Sequence, residues 1–124
     1  MTGVGIDLVQ VSRIAESVHR FGDRFLRRVF TEAEIAYATS SPTQCAPRLA
    51  ARFAAKEATI KALRVEPNTP IAWRDIEVQR TPSGSCELAL HGTAARWAKH
   101  RGSPSLSVSL SHDGDYATAI VVSR

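Results

Sequence analysis

The chain has little cysteine: Cys45 and Cys86 are the only two in 124 residues, and they lie in unrelated contexts. That excludes a disulfide framework and a cysteine-based metal site, and it points to reduced thiols in a cytoplasmic protein. No apolar run approaches the roughly 18 residues that a membrane span requires, so no membrane is expected as a partner. The opening stretch MTGVGIDLVQ carries Asp7 and no basic lead, unlike a secretory signal. Aromatic residues make up 6% of the chain, without the aromatic pattern of an RNA-binding sheet. No nucleic-acid motif is visible, so a basic nucleic-acid-binding module is the weaker alternative. Acidic side chains are also in short supply, 12 against 16 Lys and Arg, which leaves a net charge of +4. A basic domain of this size attracts nucleotides, other polyanions or an acidic protein.

Glycine and proline are missing from residues 48–63, RLAARFAAKEATIKAL. This Ala-rich stretch reads as a firm helix. At about 100° per residue, Leu49, Phe53 and Ile60 form one narrow apolar band. Arg48, Arg52 and Lys56 make an i, i+4, i+8 line on one side of that band. Glu57 and Lys61 make an i, i+4 line on the other. The remaining face is nearly all alanine, which allows another backbone to come close. Two readings stand open for the charges: a solvated ion pair worth a few tenths of a kcal/mol, or cations and a carboxylate gathered for a phosphate-bearing ligand and a metal.

The rest of the chain reads as one α+β domain over residues 1–124 with a mainly antiparallel sheet around that helix. Residues 2–9 form a buried strand in which Gly3 and Gly5 permit close backbone approach. Asp7 interrupts the strand; it is either a strand-end carboxylate or, if buried, one that needs a metal, an arginine or N–H partners. Ser12 is the expected N-cap of a helix ended by Gly22, and Asp23 starts a short second one. Arg13, Arg20, Arg24, Arg27 and Arg28 crowd this region, either as a solvated surface or as a docking face for an acidic partner. Thr31 and Glu34 form a capping box. Strands are expected over 74–81 and 86–90, then a short helix capped by Thr93. A final pair of strands covers 105–111, with alternating hydroxyls, and 116–122. His112 lies in the turn between them.

Three blocks then match a known family: GIDLVQVSRI, RFAAKEATIKAL and SVSLSHDGDYATAIVV, supported by FTEAEI and RDIEV. In this order the chain resembles the holo-acyl-carrier-protein synthases, the small members of the 4′-phosphopantetheinyl transferase superfamily. The resemblance covers nearly the whole chain and implies that family's fold. The implied reaction transfers 4′-phosphopantetheine from coenzyme A to a serine hydroxyl of an apo-acyl carrier protein, releasing adenosine 3′,5′-bisphosphate. It implies Mg²⁺ held by Asp7 and Glu57, with Lys61 on phosphate and His112 on coenzyme A. It implies a homotrimer with sites at subunit interfaces, and carrier docking on Arg13, Arg20 and Arg24. The Arg52 and Lys56 line becomes a second anion-binding line. Because it lies well over 100° from Glu57 and Lys61 around the helix, Arg52 is expected to reach the coenzyme A 3′-phosphate in a site shared with a neighbour. An inactive carrier-binding subunit is the remaining alternative, against which Asp7, Glu57, Lys61 and His112 stand together. Two departures from the family pattern are Thr43–Gln44, where basic residues are common, and the glycine-free loop RVEPNTP.

Overall fold

The computed structural model describes residues 2–124. The elements run β1 (Gly3–Gln10), α1 (Val11–Phe21), α2 (Asp23–Val29), α3 (Glu32–Thr39) and α4 (Cys45–Ala62). A single 3₁₀ turn over Trp73–Asp75 leads into β2 (Ile76–Arg80), then β3 (Cys86–Leu90), α5 (Gly92–His100), β4 (Leu106–Asp113) and β5 (Tyr116–Ser123). The strands form two antiparallel sheets: a three-stranded one in the order β1-β5-β4 and the β2-β3 hairpin. This is the expected α+β class with α4 at the centre. Among the described residues, no helix is long and apolar enough to cross a membrane.

The alanine face of α4 is the packing surface. Ala50, Ala54, Ala55 and Ala58 are fully buried, and α4 lies directly on β1 and β5. β1 comes so close that a Cβ on Gly5 would stand 1.9 Å from the Ala58 carbonyl oxygen, and one on Gly3 would stand 2.0 Å from that of Ala62. Glycine on the strand and alanine on the helix are thus two halves of one contact. Behind it, Ala117, Ala119 and Val121 of β5 complete the layer, while Phe30 and Leu49 fill the far side of α4.

The Thr31–Glu34 capping box forms as expected, with Glu34 N donating to Thr31 Oγ1 and Thr31 N to Glu34 Oε1. Four other expectations are corrected. α4 starts at Cys45, one turn earlier than residue 48, and takes Pro47 into its first turn, where no intrahelical N–H is needed. Ser12 is not an N-cap: α1 already begins at Val11, and Asp115, from the β4–β5 turn, accepts from both Ser12 N (2.9 Å) and Ser12 Oγ (2.7 Å). Thr93 likewise does not cap α5; Asp75 accepts from its backbone N–H (2.8 Å) and its hydroxyl (2.6 Å). The 74–81 strand is shortened to Ile76–Arg80 by the 3₁₀ turn before it.

Candidate active site

The close β1–α4 contact sets the position of Asp7. In the register of β1 its side chain falls on the same face as Gly3 and Gly5, next to the last turns of α4. There Lys61 Nζ donates to the Ile6 carbonyl oxygen (2.9 Å) and approaches Asp7 Oδ1 (3.4 Å). The Asp7 side chain is 20% exposed and that of Lys61 53%. Glu57 stands one turn earlier on α4, half-buried. Its carboxyl is pushed above the ordinary glutamate range, first by burial and then by the negative charge of Asp7, with Lys61 pulling the other way. Thr118 Oγ1 holds the Asp7 carbonyl oxygen (2.8 Å), which fixes the strand while leaving both carboxylates open.

Two carboxylates that repel one another, with one half-exposed ammonium beside them, form a site short of positive charge. The donors are hard oxygens, and among the described residues no group of three His, Cys, Asp or Glu gathers there. That set suits Mg²⁺, which keeps several waters and accepts substrate phosphate oxygens as further ligands. It does not suit zinc or another metal that demands a closed nitrogen and sulfur set.

The other charged line of α4 faces away from this corner. Lys56 is fully buried, its ammonium shared among Glu34 Oε1 (2.8 Å), the Trp73 carbonyl oxygen (3.2 Å) and the Ile76 carbonyl oxygen. Burial lowers its pKa, and Glu34 pushes it back up. All three ammonium donors are used inside the protein, so the expectation that Lys56 binds the cofactor is corrected: it ties α4 to α3 and β2. Arg52 is 5% exposed and packs its guanidinium 4.5 Å from the Tyr37 ring centroid, beside Arg48 at 4.1 Å and Arg80 at 5.3 Å. The angular separation of the two lines is therefore real in space: Glu57 and Lys61 look toward β1, Arg52 toward α3 and β2.

His112 lies within β4, not in the turn as expected, opposite Ala117 of β5, while Asp7 pairs with Ala119 from the other side of that strand. The two side chains are two strands apart, about 10 Å by strand spacing alone. One chain does not bring His112 to the Asp7–Glu57–Lys61 group. Arg13, Arg20 and Arg24 are all exposed on α1 and α2, with Arg20 over the ring of the exposed Phe21 at 5.4 Å.

Sequence reasoning missed Tyr37, Glu34 in its second role, and Arg80. Glu34 was visible as a cap, but nothing local marks it as the partner of a lysine 22 positions on. Tyr37 and Arg80 meet α4 only through tertiary packing.

A model of the 4′-phosphopantetheinyl transferase superfamily matches residues 3–121. A holo-[acyl-carrier-protein] synthase of Koribacter versatilis is 47% identical over 120 residues, which is 97% of this chain and 95% of that protein. One of Herpetosiphon aurantiacus is 47% identical over 128 residues, covering 98% of each. Among solved structures, the chain is similar to an ACPS–CoA complex of Chronobacterium ammoniagenes, with a TM-score of 0.88 and 36% identity over 100% of this chain and 97% of that one. It is also similar to the Helicobacter pylori holo-[acyl-carrier-protein] synthase in complex with coenzyme A, with a TM-score of 0.83 and 32% identity over 98% and 99% of the two chains.

Proposed function

The chain belongs to the 4′-phosphopantetheinyl transferase superfamily, and we infer that it is a holo-acyl-carrier-protein synthase. It transfers 4′-phosphopantetheine from coenzyme A to a serine hydroxyl of an apo-acyl carrier protein and releases adenosine 3′,5′-bisphosphate. The observation that carries the reading is the meeting of Asp7, Glu57 and Lys61 where β1 crosses α4.

Residues 1–124 act as one catalytic domain in the cytoplasm. Asp7 and Glu57 would hold Mg²⁺, which when bound neutralises the pyrophosphate and the leaving bisphosphate. Lys61 moves from Asp7 onto a pyrophosphate oxygen and keeps the phosphorus in line with the incoming hydroxyl. The positioning and the charge together account for most of the catalysis in phosphoryl transfer. The serine proton passes to an acceptor within hydrogen-bond reach, and the Asp7–Glu57 pair supplies the carboxylates for that role.

Carrier docking belongs to Arg13, Arg20 and Arg24, a basic surface on α1 and α2 for an acidic partner. A homotrimer gives the separated groups a common site. The outward face of the three-stranded sheet exposes Val4 (59%), Ile6 (60%) and Leu8 (66%) beside Ile120 (41%), a contiguous apolar patch suited to burial against other copies. In such an assembly His112 and Arg52 of one copy reach the coenzyme A held by Asp7, Glu57 and Lys61 of the next.

Mass spectrometry of an apo-carrier incubated with coenzyme A and Mg²⁺ tests the function. The expected result is a gain of one phosphopantetheine, abolished by EDTA and by Glu57→Ala. No gain on any carrier tried overturns the reading.

A further inference from the structure

α1 leaves the sheet without a linker. β1 ends at Gln10 and α1 begins at Val11, so the direction of the helix is set at that one joint. Little in the helix itself fixes it. Of its 11 residues only Val11 and Ile14 are buried. Gln10, at the cap position, makes no capping bond with its side chain, and the first turn holds no acidic residue. It holds Arg13 instead, a cation at the end where the helix dipole is already positive.

The missing cap comes from the far end of the chain. β4 and β5 are joined by the two-residue turn Gly114–Asp115, with Gly114 at a φ of +57°. Asp115 takes the first two N–H groups of α1. Val11 N donates to its carbonyl oxygen (2.7 Å) and Ser12 N to its Oδ1 (2.9 Å). Ser12 Oγ donates to Oδ2 (2.7 Å), so both carboxylate oxygens are engaged. Hydrogen bonds from Ser12, and from the Gln10 side chain, hold the carboxyl below the ordinary aspartate range. It therefore carries its charge at neutral pH and offsets both the dipole and Arg13. The aim of α1 thus depends on a carboxylate 103 positions from Ser12.

That aim matters because of what lies on either side of the joint. Asp7 stands three residues before Gln10, so α1 starts beside the reaction centre. Arg20 lies about 13 Å along the helix from Val11, so a tilt of about 10° moves it by roughly 2 Å. A displacement of that size is enough to spoil an in-line approach. We propose that Asp115 is a positioning residue for the carrier protein: by capping α1 from the β4–β5 turn, it sets the angle at which a carrier held on Arg13 and Arg20 presents its serine to Asp7, Glu57 and Lys61. The proposal rests on the transferase reading above and adds to it a residue that touches neither substrate.

The test compares the kinetics of the wild type, Asp115→Ala, Asp115→Asn and Ser12→Ala, each assayed well below its melting temperature. Asp115→Ala is expected to raise KM for the carrier about tenfold while KM for coenzyme A stays within about twofold. Asp115→Asn still accepts from Ser12 N and should recover part of the loss. Ser12→Ala removes one bond from the helix side and leaves the turn intact, and it should raise KM for the carrier about two- to threefold. A role in stability alone would lower the melting temperature and leave the carrier KM of the folded protein unmoved; that result overturns the proposal. So does an equal rise in both KM values, which marks damage to the hairpin that carries His112. If the wild type modifies no carrier, the transferase reading fails and the proposal falls with it. If the wild type is active and the variants match it, the proposal alone falls.

Discussion

Glu57 is held in a state that its ordinary chemistry disfavours. Burial and the neighbouring Asp7 raise its pKa in the folded chain, with Lys61 only partly compensating. A carboxyl whose pKa rises on folding stabilises the fold while protonated and loses that contribution as pH climbs through the unfolded and then the folded pKa. Glu57→Gln keeps the shape and removes the charge. In EDTA at neutral pH it is expected to melt about 2–5 °C above the wild type, and the two curves should converge below about pH 4. Added Mg²⁺ should raise the wild-type melting temperature and leave Glu57→Gln unmoved. A Glu57→Gln protein that melts lower than wild type in EDTA would show that the carboxylate is satisfied inside the chain and is not waiting for a cation. The expected gain in stability with loss of turnover is the usual exchange at a site built for charge.

Between elements, Glu34–Lys56 is a fully buried ion pair that joins α3 to α4. Glu34 closes the α3 capping box with one oxygen, which it also gives to Lys56, and takes Val78 N of β2 with the other. Lys56 answers from α4 and reaches the carbonyls of Trp73 and Ile76. Removing one partner strands a buried charge, so Lys56→Met is expected to cost about 3–5 kcal/mol in denaturant unfolding. The double variant Lys56→Met/Glu34→Gln should cost clearly less than the sum of the singles, since neither then buries a lone charge; additivity within about 0.5 kcal/mol would rule out the coupling. This joint also marks how far the sequence was legible. Whatever depends on local pattern could be read: the Thr31 box, the Ala face of α4, the glycines of β1 and the Glu57–Lys61 line; that Asp7 joins that line was implied by the family resemblance. Whatever depends on partners far along the chain could not. Asp115 bonds to Ser12 from 103 positions away, and Asp75 supports α5 from 18 positions before Thr93. Helical periodicity placed Arg52 and Lys56 on one line, but it carries no information on burial. The same spacing suits a solvated stripe and a core ion pair, and only the arrival of α3 and β2 decides between them.

At the scale of the whole molecule, two surfaces stand out: the apolar strip of β1 and the arginines of α1 and α2. The basic surface of α1 and α2 carries Arg13, Arg20 and Arg24, and attraction between it and an acidic carrier fades within about 10 Å at 0.1 M salt. The KM for the carrier should therefore rise several-fold between about 50 and 300 mM salt while the KM for coenzyme A changes less, and Arg13→Glu should flatten that dependence. A KM for the carrier indifferent to salt would remove the docking role.

The opposed faces of α4 make the sharper claim about assembly. If each reaction centre joins Glu57 and Lys61 of one chain to Arg52 of the next, the contact is heterologous and closes into a ring. Glu57→Ala and Arg52→Ala chains are each expected to lack activity. When they are unfolded together in equal amounts and refolded, random assortment places an intact Glu57 beside an intact Arg52 at about one quarter of the interfaces. Activity should then return to roughly a quarter of the wild-type level per chain. A site built within one chain predicts none, because every chain in the mixture carries one defect. The two arrangements are separated by that recovery alone. A lysine at Ile6, in the middle of the exposed apolar strip of β1, should abolish both the recovery and the higher-order species in sedimentation, because the ring cannot form without that face.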